Sequence, residues 1–284
     1  MADAPSRIAA VKAPESLALI EREDRDRALA LEFVTPDKRE ALAALYAFDL
    51  ETARIRDLVS QPLPGEIRLQ WWRDLIGSGE RAGSGHPIAD ELLAVIDRHD
   101  LPRSVFERFL DARVFDLYDD PFSTTADFEA YAGETRSTLI MLAAMVLSKS
   151  DAGAISDAAG HAGVAETCRM ALKTLAASRR RGQCLIPLDI LAAVGCSADD
   201  LVKGERDATK RAVAAFCAYG RDHDAKWRRR FGAVPRSVRA AFLPPSLSDA
   251  TFAAALKSDL SLEETLVEPG PIRKSWRYWR MMRA

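Results

Sequence analysis

An all-α fold is what this sequence of 284 residues predicts, on three observations. Ala, Leu, Arg and Glu dominate its long stretches, and these side chains lose little freedom in a helix. Runs of Val, Ile and Tyr alternating with period two, which would mark half-buried strands, are missing. Pro and Gly fall a helix length apart, as stop and start signals between periodic apolar runs.

Those signals set the elements in order. Helices are expected over 16–34 and 37–59, divided by Pro36. The turn Pro62-Leu63-Pro64-Gly65 opens a third over 65–77. It runs into GSGERAGSG (77–85), which lacks the Gly-Lys-Ser/Thr ending of a phosphate loop and follows a helix, so it reads as an interhelical loop. Pro102 separates 88–99 from 103–119, and Asp120-Pro121 closes the latter. Helices follow over 125–148 and 152–180, the second stopping at Gly182. A short helix comes after Pro187, then 205–231 and 236–257 with Pro235 between them, and a last one ends the chain. There is no internal repeat and no linker long enough to divide two cores. Residues 1–284 therefore read as a single domain, with 1–15 flexible and 271–284 a basic, aromatic segment.

Composition narrows the function classes. Hydrophobic residues make up 48% of the chain, ample for a substantial core. A net charge of −2 supplies no basic field, so nucleic acid is not an expected partner. Cys168, Cys184, Cys196 and Cys217 form no paired motif and read as buried, reduced thiols. The four histidines lack zinc-site spacing, and no metal site is expected. The opening MADAPSRIAAVKAPESLALIERED does not read as a secretory signal, and no apolar run reaches the ~18 residues of a membrane span. A soluble, cytoplasmic protein is expected, with peripheral membrane contact left open.

Within 37–59, Leu42, Tyr46, Asp49, Ala53 and Asp57 step by four, three, four and four, so they share one helix face. That face begins apolar and ends in carboxylates, which turns at least Asp49 inward. A buried carboxylate is costly unless paired, so Asp49 is either a functional group or half of a salt bridge. With so many arginines in the chain, the salt bridge is the favoured reading.

ALAALYAF at 41–48, with Asp57 nine residues on, resembles the first signature helix of squalene and phytoene synthases. GEIRLQWWRD at 65–74 resembles the segment that follows it, FEAYAGETRSTLIMLAAMVL at 128–147 the intervening helix, and RRGQCLIPLDIL at 180–191 the segment after the second aspartate-rich helix. The resemblance spans about residues 20–230 and implies an isoprenoid (terpenoid) synthase-type helical bundle. It also implies two facing aspartate clusters that hold Mg²⁺ and an allylic diphosphate, since Mg²⁺ bridges carboxylates to substrate phosphates. Those clusters are degraded here. With Asp57 in the last place of the first motif, its first two places fall on Ala53 and Arg54. The second motif falls near 173–178, which read KTLAAS, and no Asp or Glu occurs from Thr167 to Leu188. A divalent cation is not attracted to such a site.

This pattern resembles the branch of the family with degraded aspartate motifs, whose eukaryotic members include a mitochondrial factor for assembling respiratory complex I. The resemblance implies a binding or assembly role without prenyl transfer, with a respiratory complex subunit or assembly intermediate as partner. Tyr46, Asp49, Asp57, Arg180 and Arg181 are then the residues of a vestigial or metal-free substrate site, with no catalytic residue and no cofactor. Two other readings stay open. One is an active head-to-head prenyl transferase on farnesyl or geranylgeranyl diphosphate, which would need Mg²⁺. The other is an isoprenoid or lipid carrier, in which Arg179, Arg180 and Arg181 grip an anionic head group without metal.

Three further stretches have local readings. Trp71 and Trp72 read as packing. Asp116, Asp119 and Asp120 in FDLYDD read as a solvated helix end. In PIRKSWRYWRMMRA, Trp276 and Trp279 recur with Met282 or Arg283 at helical spacing, so the segment is expected to dock on its own domain. Left exposed, its basic and aromatic residues would suit a membrane interface or a partner groove.

Overall fold

The computed structural model describes residues 14–79, 83–260, 266 and 268–284, and among them there is no strand. Of the segment expected to be flexible, residues 1–13 lie outside the described residues. Glu15 already opens α1 (Glu15–Glu23), its N–H donating to Glu91 Oε1 at 2.7 Å.

The expected helix over 16–34 divides at Asp24, whose carboxylate caps α2 (Arg25–Leu31) by accepting from the Arg27 N–H at 3.0 Å. After the buried α3 (Pro36–Ala53), Arg54 separates off a single turn, α4 (Ile55–Leu58). The proline-rich 62–65 does not hold a turn apart from the next helix. Pro62 is the first residue of α5 (Pro62–Ser78), where a missing N–H costs nothing. The loop that follows is described to Gly79 and again from Gly83. Next come α6 (Pro87–His99) and α7 (Arg103–Val114), the latter shorter than expected because the chain tightens into a 3₁₀ turn at Phe115–Leu117.

The expected helix 125–148 is two: α8 (Thr125–Ala132) and α9 (Thr138–Leu147), joined by a π-helical turn at Gly133–Ser137. Gly163 faces that turn. A Cβ there would lie 2.7 Å from Ser137 Cα, so only glycine lets the two backbones meet. The chain continues through α10 (Lys149–Ala152) to α11 (Ser156–Lys173), and Thr174 breaks α11 from α12 (Leu175–Arg180). After α13 (Leu188–Ala193) stands α14 (Ala198–Lys203), which sequence reading did not anticipate. Ser197 and Asp200 form its capping box, with Asp in the place where Glu or Gln is the usual signal. The long α15 (Arg206–Arg230) agrees with expectation. The expected helix 236–257 is instead 3₁₀ over Arg236–Phe242 and Pro245–Leu247, then α16 (Ser248–Ala255), because Pro244 and Pro245 lack the N–H groups an α-helix needs. The last element is α17 (Pro271–Arg283).

Apolar residues gather in two clusters. One packs α1, α3, α5, α6, α7 and α9 around Phe48, Trp72, Phe106 and Phe109. The other packs α8 and α13–α16 around Phe128, Phe216 and Phe252. α11 serves both, giving Ala158 and Ala162 to the first and Cys168 and Leu172 to the second. All four cysteines are buried. Trp72 is core, edge-on to Phe48 at 5.3 Å, whereas Trp71 beside it is partly exposed. No helix among the described residues is long and apolar enough to cross a membrane.

Candidate functional site

Between the apolar clusters runs a cleft, walled on one side by α3 and α4 and on the other by α11 and α12. Its inner part, about 510 Å³, and its outer part, about 230 Å³, share Ala53, Arg136 and Met170. Seven basic and six acidic side chains line the inner part, so its walls come close to neutralising themselves.

Asp49 lies at the bottom. Its carboxylate, 1% exposed, accepts from three guanidiniums: Arg27 on α2 at 2.7 Å, Arg113 on α7 and Arg136 on the π turn. Burial by itself would push this carboxyl up; Arg136, Arg27 and Arg113 outweigh it and hold it well below the usual carboxylate range. Tyr46 sits one turn before Asp49, with Arg27 stacked 4.9 Å above its ring, and burial raises its hydroxyl pKa. Arg113 continues the network outward, donating to the Tyr131 hydroxyl at 2.6 Å, which donates to Asp116 at 2.8 Å. Asp116 is thus tied into the cleft wall, not a solvated helix end as its sequence context suggested. Asp119, at the same end, pairs with Arg56 at 2.6 Å.

A second acidic centre was not legible in the sequence. Asp26 on α2 is held by Arg169 and by Lys173 and Lys274 at 3.1 and 2.6 Å. Glu268 joins the same cations, Lys274 at 2.9 Å and Lys173 at 3.0 Å, and accepts from the Thr251 hydroxyl at 2.6 Å. Burial would raise both carboxyls, but Arg169 and Lys173 lead the cations that lower them, Glu268 to about 2. This cluster spans 248 residues of chain between Asp26 and Lys274, and no local pattern announces such a pairing.

At the outer rim, Asp57 and Arg181 pair directly, joining the two segments where the resemblance places the aspartate motifs. Arg54 turns to Glu23 and Glu51, both at 3.8 Å. The structure therefore brings together Tyr46 and Asp49, and separately Asp57 and Arg181. Arg180 is exposed and lines neither part of the cleft, and Arg179 is spent on the backbone carbonyls of Val202 and Leu260. Ser178, at the second motif, is fully buried with no partner for its hydroxyl among the described residues. Beyond the rim, Phe115, Phe122 and Tyr131 line a further cavity of about 600 Å³.

These donors do not suit Mg²⁺. The ion needs carboxylate oxygens free to face it; both oxygens of Asp49 already face guanidiniums, and Asp57 meets Arg181 through Oδ1. Among the described residues no group of three or more His, Cys, Asp or Glu side chains could hold a metal.

Residues 20–264 match the family model described as squalene/phytoene synthase. The chain is 29% identical over 229 residues to a Rattus norvegicus protein named NADH dehydrogenase (ubiquinone) complex I, assembly factor 6, covering 80% of this chain and 68% of that one. The Bos taurus protein of the same name is 27% identical over 260 residues, covering 91% and 77%. A solved dehydrosqualene synthase in complex with ligand superposes with a TM-score of 0.80 at 15% identity, over 94% of this chain and 93% of that one. The helical bundle is thus of the isoprenoid-synthase type.

Proposed function

The chain belongs to the squalene/phytoene synthase family, and from that premise we propose that it is an assembly or binding factor, serving respiratory complex I, rather than a prenyl transferase. The observation that carries this reading is the fate of the two carboxylates on the signature face. Asp49 is enclosed by Arg27, Arg113 and Arg136, and Asp57 is joined to Arg181 across the rim. Transition-state help for diphosphate departure comes from cations positioned on the leaving group, and those cations need ligands. Here the cleft's acids and bases satisfy one another, which suits a scaffold. The names of the rat and bovine relatives support the same client. Mg²⁺ has no part in this role, which is set in the cytoplasm.

A second reading, an isoprenoid or lipid carrier, draws on the aromatic cavity beside the cleft and the Ser178 hydroxyl, which has no partner among the described residues. One calorimetric titration with farnesyl diphosphate, with and without Mg²⁺, separates the readings when pyrophosphate release is assayed alongside. The assembly role expects no release, and loss of the gene should lower complex I while leaving isoprenoid products unchanged. Binding indifferent to Mg²⁺, without turnover, would favour the carrier. Mg²⁺-dependent binding with release, or normal complex I in the deletion strain, would overturn the proposal.

A further inference from the structure

We propose that α17 carries a docking surface for an anionic lipid bilayer, with Ile272, Trp276 and Trp279 entering the interface and Arg273, Arg280 and Arg283 facing lipid phosphates. This goes beyond the cleft and stands whether or not the cleft binds a ligand.

The orientation of the helix is set by its inner face. Tyr278 is 0% exposed, its hydroxyl donates to the Asp26 carbonyl at 3.3 Å, and its ring meets Phe33 edge-on at 5.8 Å. Met281 is buried, and Lys274 enters the Asp26–Glu268 cluster. The helix docks, as its amphipathic spacing led one to expect, but through Lys274, Tyr278 and Met281 and not through the tryptophans. Those lie on the opposite face: Ile272 is 86% exposed, Trp276 58% and Trp279 46%, at steps of four and three that align them in one stripe. Large indoles left in water on a helix that is otherwise anchored are unusual for a free surface, and they suit the headgroup level of a membrane, where an apolar ring with a polar edge is at home.

Charge identifies the occupant. Residues 271–283 include four arginines and one lysine and no acid. Lys274 is used internally and Arg277 meets Asp249 at 3.4 Å. Arg273, Arg280 and Arg283 have no acidic partner among the described residues. Arg280 and Arg283 instead cover the indoles, 4.8 Å above Trp276 and 4.3 Å above Trp279. On an acidic bilayer these guanidiniums can turn to phosphate and release the rings to the interface. A groove of about 380 Å³ beside Trp276 fits the same use, with Leu247, Ala250 and Pro269 as its floor and Arg273 and Arg280 on its rim. The other exposed apolar stripe, Leu63, Ile67 and Trp71 on α5, is flanked by charges of both signs (Glu66, Arg68, Asp74) and has no such bias.

The test is flotation of the full chain with phosphatidylcholine vesicles, with and without phosphatidylglycerol. Binding is expected only with the acidic lipid and should weaken as salt is raised, each arginine contributing about fivefold. Trp276→Ser with Trp279→Ser should weaken it about tenfold or more, as the inserted apolar area is lost. Arg280→Glu with Arg283→Glu should weaken it over roughly a hundredfold, since two attractions become repulsions. Both pairs are on the surface, so their melting curves should match the parent, and Leu63→Ser with Ile67→Ser should bind as the parent does. The proposal is overturned if the parent ignores acidic vesicles, as a helix built for a protein partner would, if pure phosphatidylcholine binds equally, or if the tryptophan pair binds undiminished.

Discussion

Asp49 on α3 and Asp57 on α4 stand eight residues apart on either side of the break at Arg54, and both are held by arginine, yet they do different physical work. The Asp49 side chain is 1% exposed and gathers guanidiniums from three other elements; that of Asp57 is 56% exposed and meets a single one. Ion pairing in the interior is a structural commitment, because each charge left without its partner keeps the full cost of desolvation. At the rim, water screens the same chemistry and a broken pair is rehydrated. Of the two carboxylates, only Asp49 is a keystone of the fold.

The largest effect should come from Asp49→Ala, which leaves Arg27, Arg113 and Arg136 facing one another. Breaking a buried network of this kind costs about 3–5 kcal/mol, read as a shift in urea unfolding. A loss under about 1 kcal/mol would mean that water enters the inner cleft and that the two carboxylates are alike after all. Glu268→Gln should cost less, about 1–3 kcal/mol, because Lys173 and Asp26 remain and the site is partly wet. It should also loosen α17, which limited proteolysis would report as earlier cleavage near 270.

Acid sharpens the comparison. Asp49, Asp26 and Glu268 all have carboxyls depressed in the folded state, so the unfolded chain binds more protons as pH falls. Their stabilisation is complete above the unfolded values. For Glu268 it is lost from about 4.5 down to about 2, and for the two aspartates from their ordinary range downward. Urea unfolding at stepped pH should therefore show stability falling below about pH 4.5, with a shallower slope in Asp49→Asn. An unchanged slope would remove Asp49 from the account. The smallest effect belongs to Asp57→Ala, within about 1 kcal/mol of the parent. If that variant instead abolishes pyrophosphate release from farnesyl diphosphate, Asp57 is a working ligand and the transferase reading displaces the assembly role.

Local chemistry was legible where it is local. The punctuation by Pro36, Pro102 and Pro187 marked helix ends, and the period of 3.6 turned Tyr46 and Asp49 inward together, whereas the expected helix 37–59 breaks at Arg54 and leaves Asp57 on the separate turn α4. Boundaries failed where a backbone detail outweighs propensity: Pro62 starting α5, the π turn at Gly133–Ser137 that carries Arg136, the 3₁₀ course forced by Pro244 and Pro245. Arg180 and Arg181 are adjacent and identical in the chain, yet Arg181 reaches Asp57 and Arg180 faces water.

By itself the sequence determined the all-α class, the family resemblance and the absence of carboxylates at Ala53, Arg54 and Lys173–Ser178, because propensity, periodicity and residue identity are properties of neighbours. Only the tertiary structure decided that Asp49 is enclosed by Arg27, Arg113 and Arg136, that Asp26 and Glu268 fasten α17, and that the tryptophans of that helix face outward. Those pairings join residues 22 to 248 positions apart. Every arginine looks alike in a sequence, and which one meets a given carboxylate is settled by the packing of helices that bring them within 3 Å and exclude the water that would otherwise separate them.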